Sequence, residues 1–403
     1  MNHNYPLVSE GISEAETDLL IQVIKSGKLT MGEKVFEFED NFAKKMKVKN
    51  AVMVNSGSSA NLIALEALVR STASNRFNSK HGDLYIAVPS VLWPTTIWPI
   101  IQLGFKALII DVIPGSLDLD LDAVIEAKKR FKEKLVGVFV IHPLGKFIDC
   151  SKLSHEFSER ELFIIEDTCE SLGAKNELSF AGTFGIAGTY SFYYSHHITT
   201  IEGGMVVTND DRLADDLRSM RAHGWTRNRR DREIWKSDFG DHNEDFIFVS
   251  SGYNFRPTEI QGALGISQLE KLDDFIQKRQ EIASSVASAT ENLLNLQLIA
   301  AEYAVTKSLK HRHSWMAFPF VTPSKEARKE ILSHFKSHQI QTRPILAGNF
   351  FKQSASKNSN IEVFKDVKNA DNIHQTGFMI GNHHSLNAEQ IKSLLDCITS
   401  LKI

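Results

Sequence analysis

The segment Thr189-Tyr-Ser-Phe-Tyr-Tyr-Ser-His-His-Ile-Thr-Thr-Ile-Glu-Gly-Gly204 sets two adjacent imidazoles, His196 and His197, between a β-like run and a glycine pair. An unperturbed imidazole titrates at about pH 6.5, so it can take a proton and give it back near neutrality. In an extended segment neighbours point to opposite faces, so one of the two is expected to face a given site. A second segment, Asn55-Ser-Gly-Ser-Ser-Ala-Asn61, lies between an apolar run and a helical pattern. Its small residues, Gly57 among them, let the backbone approach an anion. Its free amides and the helix dipole then favour a phosphate, with Ser58 and Ser59 as donors. The same residues would also serve as a plain helix cap. In a third, Phe163-Ile-Ile-Glu-Asp167, an apolar strand ends in two carboxylates, and Glu170 follows three residues on. An aspartate beyond the carboxyl end of such a strand can keep a bound pyridine ring protonated, which makes the ring an electron sink. A strand-end carboxylate is equally a common cap. Trp93 follows another strand, and its indole could stack on a flat ring or fill a core. No HExxH or CxxC motif accompanies His196 and His197, and nothing in the sequence gathers His311, His313, His383 and His384 around them, so no metal is expected.

The elements that must position these residues follow from the apolar pattern. Val52–Val54, Tyr85–Val88, Ala107–Ile110, Val136–Ile141 and Phe163–Ile165 read as buried strands. Helical patterns over Asn61–Arg70, Asp120–Phe131 and Ser151–Glu159 separate them. Such alternation predicts an α/β layer fold with a mainly parallel sheet. Thr189–Tyr193 and Met205–Thr208 add strands whose direction the sequence leaves open. A helical period runs from Thr258 to Leu293, with Pro257 at its start. It is expected to join a large domain, residues 1–270, to a smaller α+β domain, 271–403. In the latter, Trp315–Phe320 reads as a strand, and Lys325–His338 and Asn387–Leu401 read as helices. Asn75–Gly82 reads as a surface loop. Thr226–Glu244, dense in charge, reads either as an exposed insertion near a site entrance or as a solvated helix.

Length and composition narrow the function classes. The chain has 403 residues, 42% hydrophobic and 24% charged, ordinary values for a globular protein. A formal net charge of −3 gives no reason to expect nucleic acid or an anionic membrane as partner. Cys150, Cys169 and Cys397 make no disulfide framework and no iron–sulfur ligand set. No signal peptide and no membrane span are expected, and the expected address is the cytoplasm.

Taken together and in order, these pieces resemble the DegT/DnrJ/StrS family of pyridoxal-phosphate sugar aminotransferases over nearly the whole chain, from Ser26-Gly27 to the last helix. Gly252-Tyr-Asn-Phe-Arg-Pro-Thr-Glu-Ile-Gln-Gly-Ala263 looks like the family's Gly-x-Asn-x-Arg element. The resemblance implies the aspartate-aminotransferase fold (fold type I). It also implies a homodimer with shared active sites and pyridoxal or pyridoxamine 5′-phosphate as cofactor. Carried over, Ser58, Ser59 and Ser191 would bind the cofactor phosphate and Trp93 would stack on the ring. Asp167 would pair with the ring nitrogen, and Glu170 would lie by the ring hydroxyl. Asn254 would reach the phosphate in the neighbouring subunit, and Arg256 would stand near the carboxylate of L-glutamate.

One position departs from the aminotransferase pattern. His196, 29 residues after Asp167, stands where the family has the lysine that anchors the cofactor covalently. Within the family this replacement marks the sugar 3-dehydratases. The resemblance therefore implies C3-dehydration of a nucleotide-linked 4-keto-6-deoxy sugar, with GDP-4-keto-6-deoxy-D-mannose as the expected substrate and glutamate recharging the cofactor. Also similar to that branch are Arg221-Ala-His-Gly-Trp-Thr-Arg227, Arg343-Pro-Ile345 with Gly348-Asn-Phe350, and Gly381-Asn-His383. From these, His223, Arg227 and Arg343 join Arg256 as candidate substrate or co-substrate residues. Ile201 stands where the family often has glycine. The alternatives are a true aminotransferase, which would need a lysine such as Lys175 in reach of the cofactor, and a non-enzymatic binder of cofactor or nucleotide sugar.

Overall fold

The computed structural model describes residues 4–8, 11–70, 81–236, 246–305, 311–358 and 360–401. Most of the expected loop 75–82 and residues 237–245 of the charged segment lie outside the described residues. The strands are β1 Asn50–Val54, β2 Tyr85–Pro89, β3 Lys106–Ile110, β4 Leu135–Ile141, β5 Phe163–Asp167, β6 Ala187–Ser191, β7 Gly204–Thr208, β8 Gln297–Leu298, β9 Ala317–Val321, β10 Thr342–Arg343, β11 Ile361–Val363 and β12 Gly377–Gly381.

Eight of them form one sheet in the order β1-β7-β6-β5-β4-β2-β3-β11. Neighbours from β6 through β11 are parallel; β7 runs antiparallel to both β6 and β1. The apolar runs that predicted strands are buried on both faces. On β2, Ile86 and Val88 join one core with Val52, Ile63 and Phe139, while Tyr85 and Ala87 join another with Leu108, Val138 and Val140. Because β4, β5 and β6 are parallel, their carboxyl ends open onto one side, where ligands of such sheets bind. Asp167 ends β5, and Ser191 ends β6.

A second sheet, β10-β12-β9-β8, is antiparallel throughout and packs Trp315, Phe318, Phe320, Phe335 and Phe378 into a separate core. The helical period over 258–293 resolves into two helices, Glu259–Glu270 and Leu272–Thr290, that meet at Lys271. The first opens with a capping box, Thr258 with Gln261, so Pro257 lies one residue outside the cap. Trp315 sits at φ +47, a left-handed backbone that no strand accepts, and the strand begins at Ala317. The helix after Ser151 ends at Glu156. One strand crosses between the halves of the chain: β11 pairs in parallel with β3, Ile361 opposite Ala107.

Candidate active site

Glu166 and Asp167 share a strand end and therefore face opposite ways. Glu166, wholly buried, accepts from the backbone amides of Gly182 at 2.9 Å, Phe184 at 2.7 Å and Gly185 at 2.6 Å, and pairs with His142 Nε2 at 2.9 Å. It is fully used in holding the loop before β6. Asp167 turns the other way. Its Oδ2 accepts from Asn61 Nδ2 at 2.8 Å and Thr96 Oγ1 at 2.7 Å, and its Oδ1 accepts from the Cys169 amide at 3.1 Å. Asn61 is itself fixed by Thr189 Oγ1, which donates to Asn61 Oδ1 at 2.6 Å. A carboxylate held this way is aimed, as a partner for a ring N–H must be.

Ser56 caps the helix Gly57–Arg70, its hydroxyl accepting from the Ser59 amide at 3.1 Å. Gly57 is there because nothing larger fits: a Cβ would stand 2.5 Å from Ser191 Cβ and 2.9 Å from Cys169 Sγ. The neighbouring Gly204 serves the same packing, since a Cβ there would meet the Ser56 carbonyl oxygen at 2.2 Å. Small residues thus bring the helix start, the end of β6 and the segment after β5 together. Ser58 is exposed, Ser59 partly so, and Ser191 is buried with its hydroxyl accepting from the Tyr193 amide at 3.3 Å.

His196 follows β6 in a turn closed by its own amide, which donates to the Tyr193 carbonyl at 2.9 Å. Its ring meets Tyr193 edge-on at 5.9 Å. Its Nδ1 is buried and has no partner among the described residues. Burial pushes the imidazole down to about 4, against contacts with the Cys169 and Ser191 backbone and the Asp167 charge that favour the cation. The unperturbed value that the sequence suggests therefore does not hold: the ring is neutral throughout the neutral range and offers a lone pair. His197 goes the other way, wholly buried with Nε2 at 3.1 Å from the Ser314 carbonyl. Glu170 is partly exposed; burial, with the Asp167 charge adding to it, raises its carboxyl to about 8, and Oε2 accepts from the Leu144 amide at 3.3 Å. Trp93 caps the helix Pro94–Gln102 with 56% of its surface exposed, three residues before the Thr96 that binds Asp167.

These observations assemble Gly57, Ser59, Asp167, Glu170, Ser191 and His196 around one strand end. Residues 10–399 match the pattern of the DegT/DnrJ/EryC1/StrS aminotransferase family. The chain belongs to that family. It is 35% identical over 402 residues to GDP-4-keto-6-deoxy-D-mannose 3-dehydratase of Yersinia pseudotuberculosis, covering 98% of both chains. It is 35% identical to the enzyme of that name from Escherichia coli over 387 residues, 94% of this chain and 95% of the relative. The solved Escherichia coli enzyme with bound hydrated PLP superposes with a TM-score of 0.89 at 34% identity, covering 99% of this chain and all of that one. A second structure of a GDP-4-keto-6-deoxymannose 3-dehydratase, with a trapped PLP–glutamate geminal diamine, gives 0.87 at 34% identity and covers 98% of this chain. The Helicobacter pylori aminotransferase of pseudoaminic acid biosynthesis, at 22% identity and a TM-score of 0.83, shares the fold. The family's aminotransferase-type α/β architecture is thus this chain's architecture.

The remaining candidates of this family member stand apart from the Asp167 cluster. Asn254 and Arg256 are exposed and touch each other, Arg256 Nε donating to Asn254 Oδ1 at 3.0 Å. Their strip lies beside the turn before the helix Gly57–Arg70, where the Asn55 amide donates to the Phe255 carbonyl at 3.0 Å. His223, exposed at φ +67, is on the adjoining strip: Ala222 bridges Asn254, and the His223 amide donates to Tyr253. Arg227, also exposed, lies 4.1 Å over the Trp225 ring, and Arg343 is exposed on β10. Lys175 lies over Phe180, 5.7 Å from its ring. Sequence reasoning missed Thr96 and the tethering role of Asn61; Thr96 carried no signal beyond lying three residues after Trp93. Ile201 does occupy a glycine-type backbone, φ +70. A cluster of ligand-type groups, His334, His338 and Cys397, lies within 4.8 Å in the smaller half. There His334 Nε2 faces the Cys397 carbonyl at 2.9 Å and His338 Nδ1 faces the His334 carbonyl at 2.9 Å. Burial raises the Cys397 thiol to about 12.

Proposed function

We propose that this chain is a pyridoxamine/pyridoxal 5′-phosphate-dependent C3-dehydratase of a nucleotide-linked 4-keto-6-deoxy sugar, GDP-4-keto-6-deoxy-D-mannose first among candidates, with L-glutamate regenerating the amine form. One observation carries the reading: a neutral imidazole, His196, with an unpartnered buried nitrogen, stands beside the Asp167 carboxylate at the position of the family's anchoring lysine. The relatives of that name, similar over nearly the full chain, support it.

The residues present fit such a cofactor bound without a covalent link. The cradle at Gly57 and Ser191 would be filled by any Cβ, the amides of Ser58 and Ser59 sit at a helix start, and Trp93 exposes a flat face. Bound there, the cofactor supplies an amine for the sugar's 4-keto carbon and a protonated ring that stores electrons. Asp167, held by Asn61 and Thr96, keeps the proton on the ring nitrogen. Glu170, protonated at neutrality, donates to the ring oxygen. His196 takes the proton from the C4′ carbon and returns one to the departing C3 hydroxyl. Arg256 grips the glutamate carboxylate in a fork, and His223, Arg227 and Arg343 hold the nucleotide sugar. The exposure of Asn254 supports a homodimer in which it serves the partner's site. Residues 1–270 form the cofactor unit, and 271–403 form the smaller unit apart from β11, which returns to the cofactor unit's sheet. The same proposal places the enzyme in the cytoplasm.

The test is incubation of the purified protein with cofactor, glutamate and a panel of 4-keto-6-deoxy nucleotide sugars. The expected product has lost one oxygen, with release of ammonia. A product that gains an amino group instead would replace dehydration with transamination.

A further inference from the structure

Arg279, on the helix Leu272–Thr290, is wholly buried. Its Nη1 donates to the carbonyls of Asn382 and, at 3.2 Å, Met316. Its Nη2 donates to the carbonyl of His196 at 3.3 Å. No carboxylate is among these partners, and its Nε has none among the described residues. The groups its charge reaches are Tyr5, His196, His197, His383 and His384, none of them an anion at neutral pH. Burial lowers its own pKa, to about 9, yet it remains a cation at neutrality. A buried cation without a counter-ion is costly, and an apolar side chain of the same length would fill the space without that cost.

What only this side chain does is join three segments at once. Met316 leads into β9 and Asn382 follows β12, and the two are tied by the Asn382 amide donating to the Met316 carbonyl at 3.3 Å. Asn382 reciprocates, its Nδ2 donating to the Arg279 carbonyl at 3.1 Å and to the Trp315 carbonyl at 2.9 Å. His196 is the third segment, in the turn that follows β6 of the large sheet. A planar fork spans the three; an ammonium on a flexible stem satisfies them less completely.

We propose that Arg279 is a positioning residue: it fixes the backbone of His196 against the rim of the small sheet and so sets the height of the imidazole over the cofactor cleft. The proposal rests on His196 being the proton-transfer group proposed above. Misplacing a reacting group by about 1 Å can cost about 100-fold in rate. Arg279→Met is expected to bind cofactor with parent affinity in an absorbance titration, yet to dehydrate about 100-fold more slowly in a single turnover. Arg279→Lys is expected to recover part of that loss. A second readout needs neither cofactor nor substrate. In the apo-protein, the histidine NMR signal that disappears in His196→Asn should titrate at higher pH in Arg279→Met, because a nearby positive charge is gone. The idea is overturned by a folded Arg279→Met that keeps the parent single-turnover rate and an unmoved His196 signal. If the Met variant does not fold, Arg279→Lys decides alone by rate: parent single-turnover rate overturns the proposal, and a slowed turnover with unchanged cofactor affinity upholds it. Should the parent protein fail to dehydrate any sugar, the functional reading falls, while the NMR comparison still reports on Arg279.

Discussion

At the scale of single residues, the chemistry rests on what His196 cannot do. An imidazole forms no lasting link to an aldehyde, so the cofactor stays free to present its amine to a ketone. His196→Lys is therefore expected to abolish dehydration and to leave cofactor absorbance on the protein after borohydride reduction and dialysis. Full dehydration by that variant would remove His196 from the centre. The dipeptide His196-His197 lies in a turn and not in the extended segment the sequence suggested, so strand alternation is not what parts the two rings; the family resemblance singled out His196, and the contact of His197 with Ser314 shows where the other ring goes. The depressed basicity of His196 was not readable, since burial comes from segments distant in sequence. Ile201 offers a separate check. A β-branched residue at φ +70 costs about 1–2 kcal/mol, and it is 46% exposed, so little packing offsets the strain. Ile201→Gly should raise stability by up to about 1 kcal/mol in urea unfolding, glycine's own entropy taking back the rest. A loss of stability would show that its side chain packs better than its exposure suggests.

Among the elements, the turn at Asn55–Ser59 shows what the apolar pattern conveys and what it omits. The run Val52–Val54, the small residues after it and the helical period that follows located β1 and the helix start within a few residues. The reason Gly57 must be glycine lies in Ser191 and Cys169, which no local pattern connects to it. Gly57→Ala should push the helix start away from the end of β6. Cofactor affinity should fall at least about tenfold, a change of about 1.4 kcal/mol, in a fluorescence titration. Unchanged affinity would mean the phosphate sits elsewhere. The break at Lys271 escaped the sequence for a related reason: the apolar period continues across it, Leu269 before it and Leu272 and Ile276 after it joining one core, and only farther along does the second helix pass to the core of the smaller sheet through Ile282, Ala283 and Val286. The direction of β6 and β7, open in the sequence, is settled by hydrogen-bond register that hydrophobicity does not encode.

For the molecule as a whole, two consequences are measurable. Five buried or half-buried histidines are held neutral: loss of water contact pushes His196, His384 and His383 down to about 4, about 3 and about 2, and His197 and His313 well below the ordinary value. The unfolded chain binds these protons below about pH 6.5 while the folded one does not, so stability rises with pH across that range. Glu170 opposes this between its ordinary value and about 8, but it is one group against five. The urea midpoint should therefore drop from pH 7 to pH 5; a flat profile would mean the histidines take up protons without unfolding. The second consequence concerns sharing between subunits. A re-equilibrated 1:1 mixture of His196→Asn with Asn254→Ala, half of it mixed dimers with one intact site of two, should recover about a quarter of parental activity if cofactor phosphate is held in trans and each variant alone is inactive; no recovery would confine each site to one chain.

The strand β11 carries a further implication. Ile361–Val363 closes the main sheet by lying along β3, which the ribosome has made some 250 residues earlier. Until translation is nearly finished, β3 waits with a bare edge, and such an edge invites pairing with other chains. A truncation before Ile361 should therefore yield inclusion bodies rather than a smaller working protein, even though it leaves the proposed catalytic groups intact.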